Sequence, residues 1–207
     1  MRTLVIASQK GGVGKTTIAG HLAVMAESKG AGPVALIDTD PQGSLSSWWN
    51  ERQAETPIFA SVDIALLADH LHRLKKAGVK LAIIDTPPAV TETIRKVLTV
   101  ADMVLIPTRP SPHDLRAVGS TVALVEAAGK RMVFVINGAA QRAKITGEAA
   151  IALSQHGTVA PVTLYQRTDF AASMIDGRTA QEIDPISRSA GEITVLWNYV
   201  STQLNKK

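Results

Sequence analysis

The feature of this sequence that most limits its fold is the alternation of short apolar runs with longer amphipathic stretches. The runs are rich in valine, isoleucine and leucine and alternate little with polar residues, which is typical of strands covered on both faces. The predicted strands span residues 3–8, 33–38, 80–85, 103–108, 131–137 and 159–164. The predicted helices span residues 16–29, 64–77, 90–99, 114–129, 146–156 and 188–204.

Helices of ten or more residues between successive strands imply βαβ units, because parallel strands need a long crossover connection. We therefore expect an α/β fold: a single doubly wound domain over residues 1–207, with a mostly parallel sheet and helices on both faces. With 45% hydrophobic and 19% charged residues, the 207-residue chain can bury a core of the size that such a domain requires.

Composition excludes several classes of protein. The chain has no cysteine, which rules out disulfides, thiolate metal sites and cysteine nucleophiles. The N-terminus lacks the pattern of a signal peptide, and no apolar stretch approaches the roughly 20 residues that span a bilayer. We therefore expect a cytoplasmic protein.

The net charge of +4 makes the chain mildly basic. Lysine and arginine exceed aspartate and glutamate by 11 to 9 in residues 1–100 and by the same margin in residues 101–207, so no tail or run holds the excess. A folded surface could gather the excess into a patch suited to nucleic acid, although ordinary surface chemistry explains it equally well.

Three polar motifs follow the first three predicted strands. They are "GKTT" (14–17), "DTDPQGS" (38–44) and "DTPP" (85–88). In open parallel sheets, ligands bind beyond the carboxyl ends of the strands. The joint placement of the motifs therefore indicates one binding site at that edge of the sheet.

The first motif matches the end of the phosphate-loop pattern G-x-x-x-x-G-K-[ST], between a predicted strand and a predicted helix. Gly11, Gly12 and Gly14 would let backbone N–H groups turn toward phosphate oxygens. Lys15 would reach the β- and γ-phosphates, and the Thr16 hydroxyl would bind Mg²⁺. The N-terminus of the following helix adds a dipole that favours an anion.

One position departs from that pattern. Gln9 stands where the first glycine is expected, and Lys10 follows it. The alternative interpretation of the segment is a glycine-rich turn with solvated lysines. The residues predicted to bind the nucleotide in this segment are Lys10, Gly11, Gly12, Val13, Gly14, Lys15, Thr16 and Thr17.

"KGGVGKTT" resembles the deviant Walker A motif of the ParA/MinD family of P-loop ATPases. "DTDPQGS" resembles the second nucleotide motif of that family, and "IIDTPP" resembles its Walker B motif. "IPTRPSPHDL" (106–115) resembles the proline-rich stretch that follows the next strand in ParA proteins. The resemblance spans nearly the whole chain. The chain is also short, which is similar to the small ParF-type plasmid partition ATPases.

The resemblance implies catalytic roles for Lys10, Lys15 and Asp40. Lys15 would serve its own nucleotide, whereas Lys10 would reach across a homodimer to the nucleotide of the partner subunit. Positive charge near the β- and γ-oxygens favours phosphoryl transfer, so the lysine of the partner would couple ATP-dependent dimerisation to hydrolysis. Asp40 would orient or activate the attacking water, although an Asx-type turn is the alternative role for this residue.

Thr16, Asp38 and Asp85 are the predicted Mg²⁺ residues. Asp85 ends an apolar strand, as in a Walker B motif, and would hold Mg²⁺ through water because Mg²⁺ gives up its waters reluctantly. Asp38 would support the Mg²⁺ shell. The alternative for Asp85 is a simple aspartate at a strand end.

Asn137 ends the strand "MVFVIN" and is followed by "GAAQ", so the NKxD element that recognises guanine is missing. Asn137 resembles the family position that contacts adenine, and a turn residue is its alternative role. The expected cofactors are therefore ATP and Mg²⁺.

ParA proteins bind DNA non-specifically as ATP dimers, so the resemblance implies DNA contacts and association with the nucleoid. The segment "LYQRTDFAASMIDGRT" (164–179) resembles the part of small ParA proteins that carries a DNA-binding arginine, here Arg167, and Arg178 is a further candidate. Phosphate contacts require only positive charge and leave little motif, so solvated surface arginines are the alternative.

These implications combine into a hypothesis of a partition or positioning ATPase. An ATP dimer would bind DNA, and a ParB-like or cargo adaptor protein would stimulate its weak hydrolysis and so release it. The cargo would be plasmid or chromosomal DNA, or a protein assembly.

Two rival functions come from other branches of the family. One is a MinD-like membrane-associated regulator of division or flagellar placement, which would use a terminal amphipathic helix. The C-terminal segment "EITVLWNYVSTQLNKK" (192–207) has cations only at its very end, Lys206 and Lys207, so we expect it to pack on the sheet rather than on a membrane. The other is a metabolic relative such as a metal-cluster carrier, which the lack of cysteine argues against, or dethiobiotin synthetase.

Overall fold

Seven parallel strands in the order β3-β2-β4-β1-β5-β6-β7 form the centre of the molecule. The computed structural model describes residues 1–89 and 92–206. The strands are β1 (Arg2–Ile6), β2 (Val34–Asp38), β3 (Ile58–Phe59), β4 (Leu81–Asp85), β5 (Met103–Thr108), β6 (Met132–Ala139) and β7 (Thr158–Tyr165). The six predicted strands are confirmed, and β3 is an addition of two residues at the edge.

Helices cover both faces of this sheet, which confirms the predicted fold class. They are α1 (Lys15–Ser28), α2 (Ser44–Asn50), α3 (Leu67–Lys76), α4 (Glu92–Thr99), α5 (Pro112–Ala127), α6 (Lys144–Ser154), α7 (Thr168–Ser173), α8 (Ala180–Ile183) and α9 (Arg188–Asn205). The sequence did not indicate α2, α7 or α8. Val90 and Thr91, which open the helix predicted over 90–99, lie outside the described residues, as does Lys207.

The strand order reverses next to β1, which lies between β4 and β5. In doubly wound sheets, such a reversal opens a crevice at the carboxyl ends of the strands. The register pairs Asp85 of β4 with Ile6 of β1 and with Asp38 of β2. The ends of these three strands are therefore level, and their following loops meet at one edge.

Two apolar clusters explain why the strands alternate so little with polar residues. On one face, side chains such as Leu4 and Ile6 pack with α1 and α9. On the other face, side chains such as Val5 and Ile84 pack with α3, α4, α5 and α6. Because neighbouring strand residues point to opposite faces and both faces are covered, an unbroken apolar run is the expected sequence.

The terminal helix α9 packs on the sheet, as predicted. Its apolar residues are buried in the cluster shared with α1, namely Ile193, Leu196, Trp197, Val200 and Leu204. Its apolar face is therefore already used within the subunit. Among the described residues, none of the helices combines the length and apolar character that crossing a bilayer requires.

The segment between β7 and α9 is held against α1 by a buried histidine. The backbone N–H of Ala180 donates to His21 Nε2 at 3.0 Å, so the ring proton lies on Nδ1, which donates to the Thr17 carbonyl at 2.8 Å. His21 is fully buried and packs edge-on against Phe170, with ring centroids 5.2 Å apart. Burial lowers the pKa of His21 from 6.5 to about 4, and the neutral ring joins α1 to α8.

The buried neutral His21 makes a contribution to stability that falls in mild acid, whereas the raised pKa of Asp85 makes one that rises over the same range. Because the pKa of His21 is lower in the folded chain than in the unfolded chain, the unfolded chain takes up the proton first as pH falls below about 6.5. This residue should remove about 2 kcal/mol from the free energy of unfolding between about pH 7.5 and about pH 5. Urea unfolding of wild type and His21→Gln at the two pH values isolates this contribution, because Asp85 is common to both proteins.

His21→Gln should show a smaller loss between the two pH values, whereas His156→Gln, at an exposed histidine, should behave like the wild type. An equal pH dependence in wild type and His21→Gln would contradict the role assigned to this ring.

Candidate active site

A cleft of about 920 Å³ opens at the carboxyl edge of the sheet, where the three polar motifs meet. Its volume lies within the range of small-molecule sites. One side is formed by the glycine loop and the start of α1, and the other by α2 and the segment from β7 to α7. The predicted residues Gly11, Gly12, Gly14, Lys15, Thr16, Thr17, Asp40 and Asn137 all line it.

The glycine loop has the backbone that its sequence predicts. Gly12 and Gly14 have φ angles of +73° and +89°, in the left-handed region that favours glycine. Helix α1 begins directly after Gly14, with Lys15 buried at its first position. Burial lowers the pKa of Lys15, while the charges of Asp85 and Asp40 act in the opposite direction. The loop therefore presents backbone N–H groups, a helix N-terminus and a lysine to one place.

Asp85 and Thr16 are in direct contact below the loop. Thr16 Oγ1 donates to Asp85 Oδ2 at 2.6 Å, and the Thr86 N–H donates to Asp85 Oδ1 at 3.0 Å. Asp85 is buried, and this burial raises its pKa to about 7. This value includes smaller effects, because the hydrogen bond from Thr16 and the charge of Lys15 lower the pKa and the nearby carboxylate of Asp38 raises it. A buried carboxylate that resists ionisation would be stabilised by a cation at this position.

Thr16 and Asp85 fit a Mg²⁺ ion bound together with phosphate. Mg²⁺ at nucleotide sites takes one or two protein oxygens, and phosphate oxygens and waters complete its shell. Within residues 1–89 and 92–206, no group of three or more His, Asp or Glu side chains is arranged to hold a metal by itself. The hydroxyl and carboxylate at this edge therefore suit a shared ion better than a protein-only metal site.

Asp38, predicted to support Mg²⁺, accepts hydrogen bonds from the backbone with both of its oxygens. Oδ2 accepts from the N–H groups of Leu45 and Ser46, each at 3.0 Å, and Oδ1 accepts from the Asp40 N–H at 3.0 Å. Asp38 thus caps α2 from a distance of seven residues and fixes the backbone of Asp40. Its contacts describe a residue that positions the second motif.

Asp40 lines the cleft and also forms an Asx turn, which was the alternative interpretation of this residue. Its Oδ1 accepts from the Gln42 N–H at 3.0 Å, and its carbonyl accepts from the Gly43 N–H at 2.9 Å. The Asx turn is therefore present, and it holds a half-buried carboxylate beside the phosphate loop. The two interpretations of Asp40 are compatible.

Asn137 packs directly on the glycine loop. Its Nδ2 donates to the Val13 carbonyl at 2.6 Å, and it occupies the space that a Cβ atom on Gly14 would need. The adjacent Gly138 has a φ of +64° and lies next to the Arg109 side chain. Arg109 lines the cleft, and nothing within "IPTRPSPHDL" distinguishes it as a site residue. The contact of Asn137 with adenine stays a prediction.

Lys10 lies outside the cleft of its own subunit. Lys10 is exposed. Within the described part of the chain, it forms no ion pair and does not line the cleft. Its backbone N–H donates to Ser8 Oγ at 3.3 Å. The two lysines of the loop therefore face different surroundings, one buried beside the phosphate position and the other open to a neighbouring molecule.

Both arginines predicted to bind DNA are ion-paired. Arg167 bonds to Glu192 Oε1 through its terminal nitrogen at 2.6 Å and Nε at 3.0 Å, and it lines the wall of the cleft. Arg178 pairs with Asp176 at 2.6 Å on the surface. Both guanidinium charges are thus compensated within the subunit.

The sequence missed the residues of α2 and α7 that form the far wall. Ser44, Ser47 and Trp48 come from α2, and Phe170 and Met174 come from α7 and the residue after it. These helices have seven and six residues, too few for a helical period to stand out.

Comparison with known proteins places the site in a recognised family. The family model described as the CobQ/CobB/MinD/ParA nucleotide binding domain matches residues 4–180. The maintenance of carboxysome distribution protein A of Halothiobacillus neapolitanus is 30% identical over 96% of this chain and 95% of its own length. The chromosome-partitioning ATPase Soj of Thermus thermophilus is 30% identical over 61% of this chain and 62% of its own length.

Solved structures of low identity share the fold. A McdA–ATP complex from Cyanothece superposes with a TM-score of 0.82 at 19% identity, over 100% of this chain and 98% of that chain. MinD in the MinC:MinD complex of Aquifex aeolicus also has a TM-score of 0.82, at 16% identity over 98% and 96% of the two chains. At these identities, the likeness concerns the arrangement of helices and strands.

The contact between Gly14 and Asn137 predicts that Gly14→Ala weakens nucleotide binding. The left-handed backbone costs a non-glycine residue about 1–2 kcal/mol, and the added methyl group would overlap Asn137. We expect the affinity for a fluorescent ATP analogue, measured by anisotropy, to fall at least about tenfold.

Gly11→Ala is the matched control in the same loop. Its backbone does not have a positive φ, and the added methyl group would meet only Pro88 at 3.8 Å. Equal reductions in affinity in the two variants would show that the geometry at Gly14 is not the cause.

Proposed function

This chain belongs to the CobQ/CobB/MinD/ParA family of nucleotide-binding domains, and on that basis we propose that it is an ATP-dependent positioning ATPase. In this proposal, ATP and Mg²⁺ join two subunits into a homodimer that binds DNA non-specifically. An adaptor protein stimulates weak hydrolysis of ATP to ADP and phosphate, and the dimer then separates and leaves the DNA. The main support is that Lys15, Thr16, Asp85 and Asp40 meet at one edge of the sheet, whereas Lys10 is exposed and does not line the cleft.

The triphosphate is bound by the glycine loop and the start of α1. The backbone N–H groups of the loop face the phosphate oxygens, and Lys15 neutralises the β- and γ-phosphates. Thr16 and Asp85 hold the Mg²⁺ ion, which supplies further positive charge to the same oxygens when it is bound. Asn137 keeps the loop in place from the neighbouring strand.

Asp40 orients the water that attacks the γ-phosphate. Its carboxylate lines the cleft, and Asp38 holds its backbone N–H at 3.0 Å. A loose transition state needs little covalent help, so correct placement of the water is the main contribution of such a residue. Asp38 therefore acts as a positioning residue for Asp40.

Lys10 completes the site of the partner subunit. A two-fold dimer brings the same surface of both subunits together, so each exposed Lys10 approaches the nucleotide of the other. The positive charge around the γ-phosphate is then complete only in the dimer, so hydrolysis requires dimerisation.

The similarity of nearly the whole chain to a carboxysome distribution protein favours a protein assembly as cargo. A relative that matches 96% of this chain is named for maintaining carboxysome distribution, and Soj, a partial match, is named for chromosome partitioning. We propose positioning of a protein assembly along the nucleoid, with segregation of plasmid or chromosomal DNA as the alternative cargo. In either case, the adaptor recognises the cargo and stimulates hydrolysis.

The proposal predicts that Asp40→Ala traps an ATP dimer on DNA. Without an oriented water, hydrolysis should fall at least about tenfold while ATP binding is kept. DNA binding is measured by anisotropy with no nucleotide, ADP or ATP, and phosphate release is measured in parallel. Wild type should bind DNA only with ATP, and Asp40→Ala should stay bound for longer.

Glu55→Ala, which removes an exposed carboxylate outside the cleft, is the control and should match the wild type. Rapid hydrolysis by Asp40→Ala would show that Asp40 does not orient the attacking water. If the wild type binds ATP but no nucleotide state binds DNA, the proposed function is wrong. ATP-dependent sedimentation with phospholipid vesicles would then favour the MinD-like function.

A further inference from the structure

One concentration of positive charge on this chain lies in α3 and the connection from α3 to β4. Residues 67–80 contain four cations, Arg73, Lys75, Lys76 and Lys80, and one carboxylate, Asp69, which leaves a net charge of +3 on this segment. The equal excess in the two halves of the sequence conceals this concentration. We call the four cations the α3 basic surface.

The fold directs this charge to solvent. Leu67 and Leu71 of α3 are buried in the cluster that covers one face of the sheet, and Leu74 packs against it. The helical period then places the cations of α3 away from the core. All four residues of the α3 basic surface are exposed.

The charges of the α3 basic surface are not compensated within the subunit. Across residues 1–89 and 92–206, none of the four cations lies within ion-pair distance of a carboxylate, in contrast to Arg167 and Arg178. Arg73 and Lys76 are three residues apart on the helix, so the repulsion between their like charges opposes folding.

The end of the helix does not need these cations as caps. The carbonyls of Arg73, Leu74 and Lys75 accept from the N–H groups of Ala77, Val79 and Gly78 at 2.9, 3.1 and 3.1 Å. Gly78, at a φ of +93°, makes this closure possible. The backbone thus satisfies its own carbonyls, and the lysine ammonium groups are left for another partner.

We propose that the α3 basic surface is where this protein contacts the phosphate backbone of DNA. The inference rests on the proposed function and assigns its DNA contacts to residues other than Arg167 and Arg178. Exposed, uncompensated cations bind phosphates by releasing counterions, and they read no base sequence. This chemistry suits a protein that must bind anywhere along a nucleoid.

The position of the surface also separates DNA from the nucleotide. The Lys80 N–H donates to the Pro33 carbonyl and its carbonyl accepts from the Arg2 N–H, both at 2.9 Å, at the starts of β1, β2 and β4. This is the edge of the sheet opposite the cleft. A dimer formed through the cleft therefore carries two such surfaces, and ATP strengthens binding to long DNA by joining them in one particle.

The test measures DNA affinity of the ATP-bound protein as a function of salt concentration. Arg73→Ala/Lys75→Ala/Lys76→Ala should weaken binding at least about tenfold and lower the salt slope by about 0.9 for each phosphate that the variant no longer neutralises. Its basal ATP hydrolysis should be unchanged, because these residues do not line the cleft. Asp69→Asn, which removes the carboxylate from this segment, should tighten binding, an effect that misfolding cannot produce.

The matched control removes three exposed cations from other places. Arg142→Ala/Lys144→Ala/Arg188→Ala changes the net charge equally, and these residues form no ion pairs in the part of the chain that the structure describes. It should keep most of the affinity and the salt slope. A reduction in affinity equal to that of the α3 variant would mean that net charge alone is responsible and would overturn the assignment.

Three further results separate this inference from the proposed function and from membrane binding. If wild type binds DNA with ATP and the α3 variant keeps its affinity and slope, only the assignment of the surface is overturned. If wild type binds no DNA in any nucleotide state, the proposed function and the surface are both wrong. If the α3 variant fails to bind anionic phospholipid vesicles while its DNA binding is intact, the surface belongs to a membrane.

Discussion

The parallel pairing of β4 between β1 and β2 is the constraint on which the site depends. Its register brings Asp85 level with Ile6 and Asp38, so the loops after three strands emerge at one point. The Asp85 carboxylate then accepts from Thr16 of the phosphate loop, and its backbone carbonyl accepts from the Thr39 hydroxyl at 2.7 Å. One strand end thus fixes both the phosphate loop and the second motif.

The opposite wall of the cleft is joined to this centre through α2. Asp38 caps α2, Trp48 Nε1 donates to the Arg178 carbonyl at 3.0 Å, and the Arg52 guanidinium bonds to the Gly177 carbonyl and Glu182. The Arg52 side chain is 2% exposed, so this ion pair is largely screened from water. The second motif, α2 and the segment before α9 are therefore one connected unit around the nucleotide position.

Local patterns in the sequence predict the sheet and the phosphate loop, because apolar runs and glycine spacing are read within a few residues. The same patterns cannot show contacts between distant parts of the chain, such as Arg167 with Glu192 or Arg52 with Glu182. The predicted role of Asp38 in supporting Mg²⁺ is inferred from the motif around it. Its hydrogen bonds instead come from the N–H groups at the start of α2, a helix that the sequence did not indicate. The cations of α3 and its following connection are visible in the sequence, whereas their exposure and their lack of ion pairs among the described residues emerge only from the structure.

The most direct test of the central claim, that Lys10 completes the site of a partner, is sedimentation velocity with a non-hydrolysable ATP analogue. If Lys10 has this role, the wild type is a monomer with ADP and a dimer of twice the mass with the analogue, whereas Lys10→Ala binds the analogue but stays a monomer. Lys144→Ala, which removes another exposed lysine, should dimerise like the wild type. A wild type that stays monomeric with the analogue, or a Lys10→Ala variant that dimerises equally well, would contradict the role assigned to Lys10.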